Sequence, residues 1–440
     1  MHTIAVIGLG YIGLPTAVVF AQKGYRVIGV DIDAKKVEAV NAGRSYIREP
    51  YLDEMLRDSV ARGLLSATTD AVVAVRQSDA VIIAVPTPVK NGVADLTYLR
   101  EALDAVRKGI HRDLLIVIES TIPPGTTVGI AKPMLEETGM KVGQDIYLAH
   151  VPERIAPGKA VEELLNAPRV VGGADPRSTE KAIQLYSEVN PHLHPTDATT
   201  AEFVKLAENT YRDLNIALAN LLALMAEKLG IDVYEAIRLA NTHPRVNIHM
   251  PGAGVGGPCL TKDPYMLAST APDFWGTELI RSARRINDYM PTHTVNIVEK
   301  ALADAGLSVI GVKIAVLGDD TRESPAKYVV QKLLEKGADV VIYDPYTPET
   351  FGAQPAKTLE EAAKDADALV IVTDHPEFKK LDLVALVALM RHRIIIDGRK
   401  AVEPHAVAAH GSPEGVSLGP AAVGVCDDED LAPGHGQCGV

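Results

Sequence analysis

Short β-rich apolar runs alternate with helical segments at both ends of the chain, and a long proline-free helical stretch lies between them. This pattern predicts an α/β protein with two doubly wound halves joined by a long central helix and a helical middle domain. At 440 residues the chain exceeds the roughly 250–300 residues at which a single hydrophobic core stops growing, so two or three domains are expected. A composition that is 47% hydrophobic and 23% charged supplies apolar surface for such cores without being membrane-like.

Residues 3–8 are apolar and β-rich, 14–23 suit a helix, and 26–31 suit a second strand, so the chain opens as a βαβ unit. Further strands are predicted at 80–85, 114–119 and 146–150. From 198 to 229, Ala, Leu, Met and Asn recur at near-3.6 periodicity with no proline until Pro244, which predicts a helix longer than most. Such a helix suits a domain link or a dimer seam. A second helix-rich piece, 276–305, closes the middle region. After Gly311 strands are predicted at 313–317, 339–343, 368–373 and 393–396, with a helix at 326–336, forming a second, smaller α/β half. The expected domains are therefore 1–195, 196–305 and 306–410. Residues 411–440, rich in Gly, Pro and Asp, are predicted to be a poorly ordered tail.

A formal net charge of -13 argues against general nucleic-acid binding, although an anionic small ligand can still be met by local Arg and Lys. The start has no basic segment followed by a cleavage site, so no signal peptide is expected. Apolar runs such as 80–85 and 114–118 fall far short of the about 20 residues that span a bilayer. Three cysteines, Cys259, Cys426 and Cys438, give no disulfide framework and point to a reducing, cytoplasmic setting. No metal site is read from the sequence, and Cys426 and Cys438 are taken as incidental.

Gly8-Leu9-Gly10-Tyr11-Ile12-Gly13 follows the first strand and opens the first helix, and Asp31 ends the second strand. Glycines let the backbone turn tightly and approach a pyrophosphate at the helix N-terminus, while an acid at that strand end accepts ribose hydroxyls and repels a 2′-phosphate. The pattern predicts a Rossmann-like site for NAD rather than NADP. Lys36 is placed either at the adenosine side or in solvent. Thr87, in Val85-Pro86-Thr87-Pro88, meets the cofactor or simply terminates a strand.

Pro251-Gly252-Ala253-Gly254-Val255-Gly256-Gly257-Pro258-Cys259 is the most unusual segment. It suits a loop that wraps a ligand and presents a thiol, so Cys259 reads as a nucleophile rather than as the commoner buried structural cysteine. Asp263 follows four residues later. Lys205, Asn209 and Arg212 share one face of the long helix; flanked by Phe203, Leu206, Ala207, Leu214 and Ile216, they are either a solvated stripe or a buried polar cluster. If buried, Lys205 and Asn209 can stabilise an oxyanion, and a lysine of lowered pKa can act as a base. Glu119-Ser120-Thr121 and Val151-Pro152-Glu153-Arg154 end strands on the edge where ligands bind, with Thr121 and Glu153 able to hold a water. The plain alternative for Glu153-Arg154 is a surface ion pair.

Over roughly residues 3–400 the chain resembles the UDP-glucose/GDP-mannose dehydrogenase family. The resemblance is carried by GLGYIGLP from Gly8, VPTP at Val85, EST at Glu119, PERIAPGK at Pro152, KLAENTYRDLNIALAN at Lys205, HPRVNIHMPGAGVGGPC ending at Cys259, and DDTRESPA at Asp319. It implies that NAD oxidises the C6 alcohol of a UDP-sugar to a carboxylate in two steps, through a Cys259 thiohemiacetal and thioester. Lys205 and Asn209 would stabilise the oxyanions, with Lys205 also moving protons. Asp263 would support the cysteine loop, and Thr121 and Glu153 would handle water. Cofactor contacts would come from Gly8, Gly10, Tyr11, Ile12, Gly13, Asp31, Lys36, Thr87, Thr121 and Arg322. Substrate contacts would come from Arg154, Ile155, Lys205, Asn209, Arg212, His243, Arg245, Gly256 and Arg399, with Arg245 reaching from a neighbouring subunit of a homodimer in one arrangement. PERxxPG and LANTHPRVNI resemble members acting on UDP-N-acetylmannosamine, whereas UDP-glucose members carry a second Glu where this chain has Pro157.

The chain departs from the family pattern twice. A GLAFKP-like loop, whose lysine meets nucleotide phosphates, is absent because Leu317-Gly318 runs directly into Asp319, and Pro258 stands where His is common. UDP-N-acetylglucosamine or UDP-glucose is an alternative substrate. Two other classes also remain: a nucleotide-sugar-binding homologue with impaired turnover, and a two-electron dehydrogenase in which Cys259 is structural.

Overall fold

The β-branched runs Thr3–Ile7, Ala80–Ile83 and Leu115–Ile118 have no polar face, which suits strands covered on both sides. In the computed structural model, which describes residues 2–318, 324–402, 417–418 and 422–425, these runs form the middle of a parallel sheet. Two compact units are present: residues 1–209 with 262–274, and residues 210–261 with 275–440.

The sheet of the first unit has eight strands, in the order Leu193–Asp197, Arg169–Gly173, Tyr147–His150, Leu115–Ile118, Ala80–Ile83, Thr3–Ile7, Arg26–Val30, Leu65–Thr68. Tyr147–His150 and Arg169–Gly173 pair antiparallel, and the other neighbours are parallel. Strand order reverses between Thr3–Ile7 and Ala80–Ile83, the point at which doubly wound sheets open a crevice beyond their carboxyl ends. Alternate residues feed opposite faces. Ile4 and Val6 join Leu14, Phe20 and Val117 in one core, while Ala5 and Ile7 join Ile83, Leu99 and Leu103 in the other. Each buried Val, Leu, Ile or Phe side chain among them contributes about 1.5–3 kcal/mol.

The predicted strands of this half all form, but Leu65–Thr68, Arg169–Gly173 and Leu193–Asp197 were not expected. Leu193–Asp197 carries His, Pro, Thr and Asp and is largely exposed at a sheet edge, so no hydrophobic alternation marks it. The long helix is Ala198–Leu229, as the periodicity predicts.

In the second unit, Ala219, Ala223 and Ala226 of that helix pack on Val233, Tyr234 and Ile237 of the helix Val233–Ala240. The helix-rich piece becomes Glu278–Asp304, preceded by a short 3-10 turn at Trp275–Thr277. A second sheet runs in the order Gln354–Pro355, Asp339–Tyr343, Lys313–Leu317, Ala368–Ile371, Ile394–Asp397, Ala422–Val425, Ser417–Leu418. Its first five strands are parallel and its last two antiparallel. Those last two fall in the segment expected to be an unstructured tail; the rest of that segment, with Cys426 and Cys438, lies outside the described residues. Val295, Val298 and Leu302 of the helix Glu278–Asp304 cover one face of this sheet. Among the described residues, no helix is long and apolar enough to cross a membrane.

Candidate active site

The first glycine turn is shaped by what a side chain would strike. A Cβ on Gly13 would overlap the carbonyl oxygen of Gly8, and one on Gly8 (φ +94°) would overlap the carbonyl of Ala84. A Cβ on Gly10 would meet nothing within 4 Å, so that position faces open space. The helix Gly13–Gln22 starts there without a side-chain cap. Asp31 is buried at the end of its strand, with Oδ2 accepting from Leu9 N–H at 2.9 Å and Oδ1 from Asp33 N–H at 3.0 Å. Lys36 Nζ lies 3.4 Å from the same Oδ2. An uncapped helix N-terminus, an open Gly10 and a strand-end acid fit a dinucleotide: the helix would take the pyrophosphate and Asp31 the ribose.

Tyr46 and Glu49 hold this turn and Thr87 joins two neighbouring strand ends, contacts to which no sequence pattern pointed. Tyr46 Oη donates to Leu9 O at 2.5 Å, so the backbone of Leu9 is held on both sides. Glu49 accepts from Tyr11 Oη and from the N–H groups of Gly158 and Ala160, at 2.7 and 3.1 Å, which ties the PERIAPGK segment to the turn. Thr87 Oγ1 donates to Thr121 O at 2.7 Å, joining two strand ends.

Lys205 and Asn209 are almost fully buried, which decides against a solvated stripe. Lys205 Nζ donates to Glu153 O at 2.7 Å and pairs with Glu153 Oε1 at 3.2 Å; Asn209 Nδ2 donates to Asp263 Oδ2 at 2.7 Å. Asp263 is fully buried and also pairs with Lys262 at 2.6 Å. Arg212, on the same helical face by spacing, is exposed. Glu153 is buried and paired with Lys205, whereas Arg154 makes the more superficial pair, with Glu208, and donates to Pro168 O at 2.6 Å. Ile155 N–H donates to Glu153 Oε2 at 2.8 Å and sets the carboxylate's orientation.

Behind these residues Glu119, fully buried, accepts from Arg169 at 2.5 Å, Tyr186 Oη at 2.8 Å and Thr16 Oγ1 at 3.2 Å. His150, one strand away, is completely buried; burial, with added repulsion from Arg169 and Lys205, pushes its imidazole down to about 3. Glu202, one turn before Lys205, accepts from the N–H groups of Gly125 and Thr127 at 2.5 and 2.7 Å, and burial raises its carboxyl.

In the second unit Cys259 is half-buried at the end of its glycine loop. Gly254 has φ +142° and its Cβ would lie 2.9 Å from Pro325, so the loop packs too closely for any side chain there. Arg399 Nη2 donates to Gly254 O at 3.2 Å and Nε to Val372 O at 3.1 Å, while a Cβ on Gly252 would lie 2.5 Å from its guanidinium. Arg399 therefore lies along the cysteine loop. Gly256 is partly buried, and His243 and Arg245 are exposed in the turn after Val233–Ala240, with Arg245 N–H 3.3 Å from His243 Nδ1. Arg322 lies outside the described residues. Among those residues no group of three or more His, Cys, Asp or Glu is arranged to hold a metal ion.

A parallel α/β sheet with an open glycine turn at its switch point, and a second α/β unit with a half-buried cysteine on a glycine loop, fit a dinucleotide-dependent dehydrogenase. Residues 2–190 match the NAD-binding domain of the UDP-glucose/GDP-mannose dehydrogenase family, 199–289 its central domain and 317–404 its UDP-binding domain. The chain belongs to that family. It is 47% identical over 408 residues to a UDP-N-acetyl-D-mannosamine dehydrogenase of Pyrococcus horikoshii, covering 91% of this chain and 96% of that one. A second relative with that name, from Methanocaldococcus jannaschii, is 43% identical, with 90% and 91% coverage. A solved UDP-D-ManNAc dehydrogenase structure from Pyrococcus horikoshii superposes with a TM-score of 0.86 at 45% identity, covering 91% of this chain and 96% of that one. The protein is thus an NAD-dependent nucleotide-sugar dehydrogenase.

Proposed function

We propose that the chain oxidises the C6 alcohol of UDP-N-acetylmannosamine to the carboxylate, in two hydride transfers through Cys259. The burial of Lys205 and Asn209 in hydrogen-bonded pairs with Glu153 and Asp263 carries this reading, because a buried ammonium and amide are suited to an alkoxide and not to solvent. The names of the two archaeal relatives support the choice of sugar.

The Gly8–Gly13 turn and Asp31, with Lys36 and Thr87 alongside, would hold NAD, which would supply the hydride acceptor for both oxidations. Lys205, as the neutral amine, takes the C6 hydroxyl proton as the aldehyde forms and so becomes the ammonium. The Cys259 thiolate then adds to the aldehyde carbon, and the resulting oxyanion is met by Lys205 and Asn209. Loss of the second hydride leaves a thioester. A water positioned by Thr121 and Glu153 attacks it and releases the acid and the thiolate. Arg154, Arg212, His243, Arg245 and Arg399 contact the substrate, and Arg322 contacts NAD. The active form is a homodimer: Tyr211, Leu218, Leu221, Met225 and Leu229 form an exposed apolar stripe at spacings of three, four and seven on the central helix.

A UDP-sugar panel with NADH readout tests the substrate. Two NADH per UDP-N-acetylmannosamine are expected, with no acid from Cys259→Ser; normal acid production by that variant rejects the mechanism. A second reading, a UDP-sugar-binding homologue with impaired turnover, is favoured by Gly318 running directly into Asp319. It predicts saturable UDP-sugar binding with no NADH from any sugar. Sedimentation of the protein, and of Leu218→Glu, tests the dimer.

A further inference from the structure

Four buried polar side chains of the second unit have no part in the chemistry above. Asp213 and Asn220 lie on Ala198–Leu229, and Arg284 and Asn287 on Glu278–Asp304; all are at most 2% exposed. Asp213 Oδ1 accepts from Arg284 Nη1 at 2.6 Å and from Asn287 Nδ2 at 2.8 Å. Asn287 Oδ1 accepts from Asn220 Nδ2 at 2.9 Å. The set then reaches the cysteine loop at both ends. Asn220 Oδ1 accepts from Gly252 N–H at 2.9 Å, and Arg284 Nη1 donates to the carbonyl of Leu260, the residue after Cys259, at 3.3 Å.

We propose that Arg284, Asp213, Asn287 and Asn220 are positioning residues for Cys259, a single buried network that clamps the glycine loop at residues 252 and 260 and so fixes the thiol. The proposal rests on the thioester reading.

Three observations support it. First, the loop between the clamps contains Gly254, Gly256 and Gly257, each of which widens the conformations open to an unheld chain, so the location of the sulfur must come from outside the loop. Second, a network kept only for stability would leave few polar atoms unsatisfied, yet Asp213 Oδ2 and Arg284 Nε are buried with no hydrogen-bond partner. Buried ion pairs are often no more stabilising than apolar replacements, which leaves defined geometry as their use here. Third, burial raises the Asp213 carboxyl; it also opposes the charge on Arg284, yet Asp213 and Asp288 keep that guanidinium charged. The network therefore offers Leu260 a permanent cationic donor. Thioester formation needs the sulfur within bonding reach of C6, and displacements near 1 Å can cost about a hundredfold in rate.

The test uses full-length Arg284→Lys, which keeps a charge but loses the fork that reaches Asp213 and Leu260 together, and Asn220→Ala, which frees Gly252. Each is compared with wild type for NADH per sugar, aldehyde captured by hydroxylamine, the pH profile of Cys259 alkylation by iodoacetamide, and thermal melting. The expected result is NADH per sugar falling from two toward one, captured aldehyde rising at least about tenfold, and a shifted alkylation profile, with KM for NAD within about twofold of wild type. Variants that melt earlier but partition and alkylate like wild type overturn the proposal and leave a purely structural network. If Arg284→Lys does not fold, Asn220→Ala decides by the same readouts. Acid production by Cys259→Ser overturns the thioester reading itself, whereas an inactive Cys259→Ser beside normal partitioning in the network variants overturns only the positioning role.

Discussion

The two parallel sheets begin alike and finish differently. In each, the first strand ends at a glycine of left-handed conformation, Gly8 (φ +94°) and Gly318 (φ +92°), and the second ends at or just before an acid, Asp31 and Asp344. Around Gly10 the first turn is open. At Gly318 a Cβ would lie 2.5 Å from Thr373 Cβ and 3.0 Å from the Phe378 ring, and at Gly8 it would lie 2.4 Å from the Ala84 carbonyl oxygen, so both strand-end glycines are closely packed. Asp31 spends its oxygens mainly on backbone N–H groups and Lys36, whereas Asp344 Oδ2 meets His375 Nε2 at 2.8 Å and Oδ1 accepts from Tyr346 and Thr347 N–H at 2.7 and 3.0 Å. The two strand ends thus match at their glycines and differ at their acids, whose partners are backbone N–H groups and a lysine in one unit and a histidine with two backbone N–H groups in the other.

Substitutions that add a methyl group at the first turn should break this contrast most severely. Gly13→Ala forces a methyl group into the Gly8 carbonyl and is expected to destabilise the first unit by about 3 kcal/mol or more, read as a lowered urea midpoint. Gly10→Ala meets no protein atom, so its melting temperature should stay within about 1 °C of wild type while NAD affinity falls at least about tenfold by titration calorimetry. Equal loss of stability in both variants would show that the open space at Gly10 is not a ligand's.

Paired acid substitutions sharpen the comparison. Asp31→Asn is expected to raise KM for NAD about tenfold and narrow the preference over NADP. Asp344→Asn should leave that KM within about twofold and cost roughly 1 kcal/mol of stability through its bonds to His375, Tyr346 and Thr347. An NAD defect in Asp344→Asn would contradict the division of labour between the sheets.

The smallest expected effect is a pH slope. The native imidazole of His150 stays neutral down to about 3, while in the unfolded chain it protonates near 6.5. The unfolded state therefore binds more protons below pH 6.5, and folding stability falls as pH drops from 6.5 toward 3, by at most about 1.4 kcal/mol per unit. Urea unfolding at about pH 7.5 and pH 5.5 should show this loss in wild type and a flatter slope in His150→Gln; identical slopes would place the titration elsewhere.

Much of this organisation was legible in the residues. The glycine turn with its flanking strands, the span of the central helix, and the polar positions Lys205 and Asn209 one turn apart all follow from local spacing, because helix and strand periods are set by a few neighbouring residues. Edge strands such as Leu193–Asp197 were not legible, since exposure removes the alternation that betrays a strand. The two short strands after residue 416 escaped notice for a related reason: Gly- and Pro-rich composition predicts no element, and pairing with Ile394–Asp397 supplies one.

By itself the chain's order of residues determined the α/β class, a glycine turn followed by a strand-end acid, and a cysteine at the end of an unusual loop, because each is written in contiguous motifs. Only the tertiary structure decided that Lys205 and Asn209 are buried while Arg212 is exposed, that Glu49 and Tyr46 hold the dinucleotide turn, and that Asp213, Asn220, Arg284 and Asn287 grip the cysteine loop. Those contacts join residues from 24 to 111 positions apart. No local pattern encodes such pairings, because a buried charge is tolerated only when its partner arrives through folding.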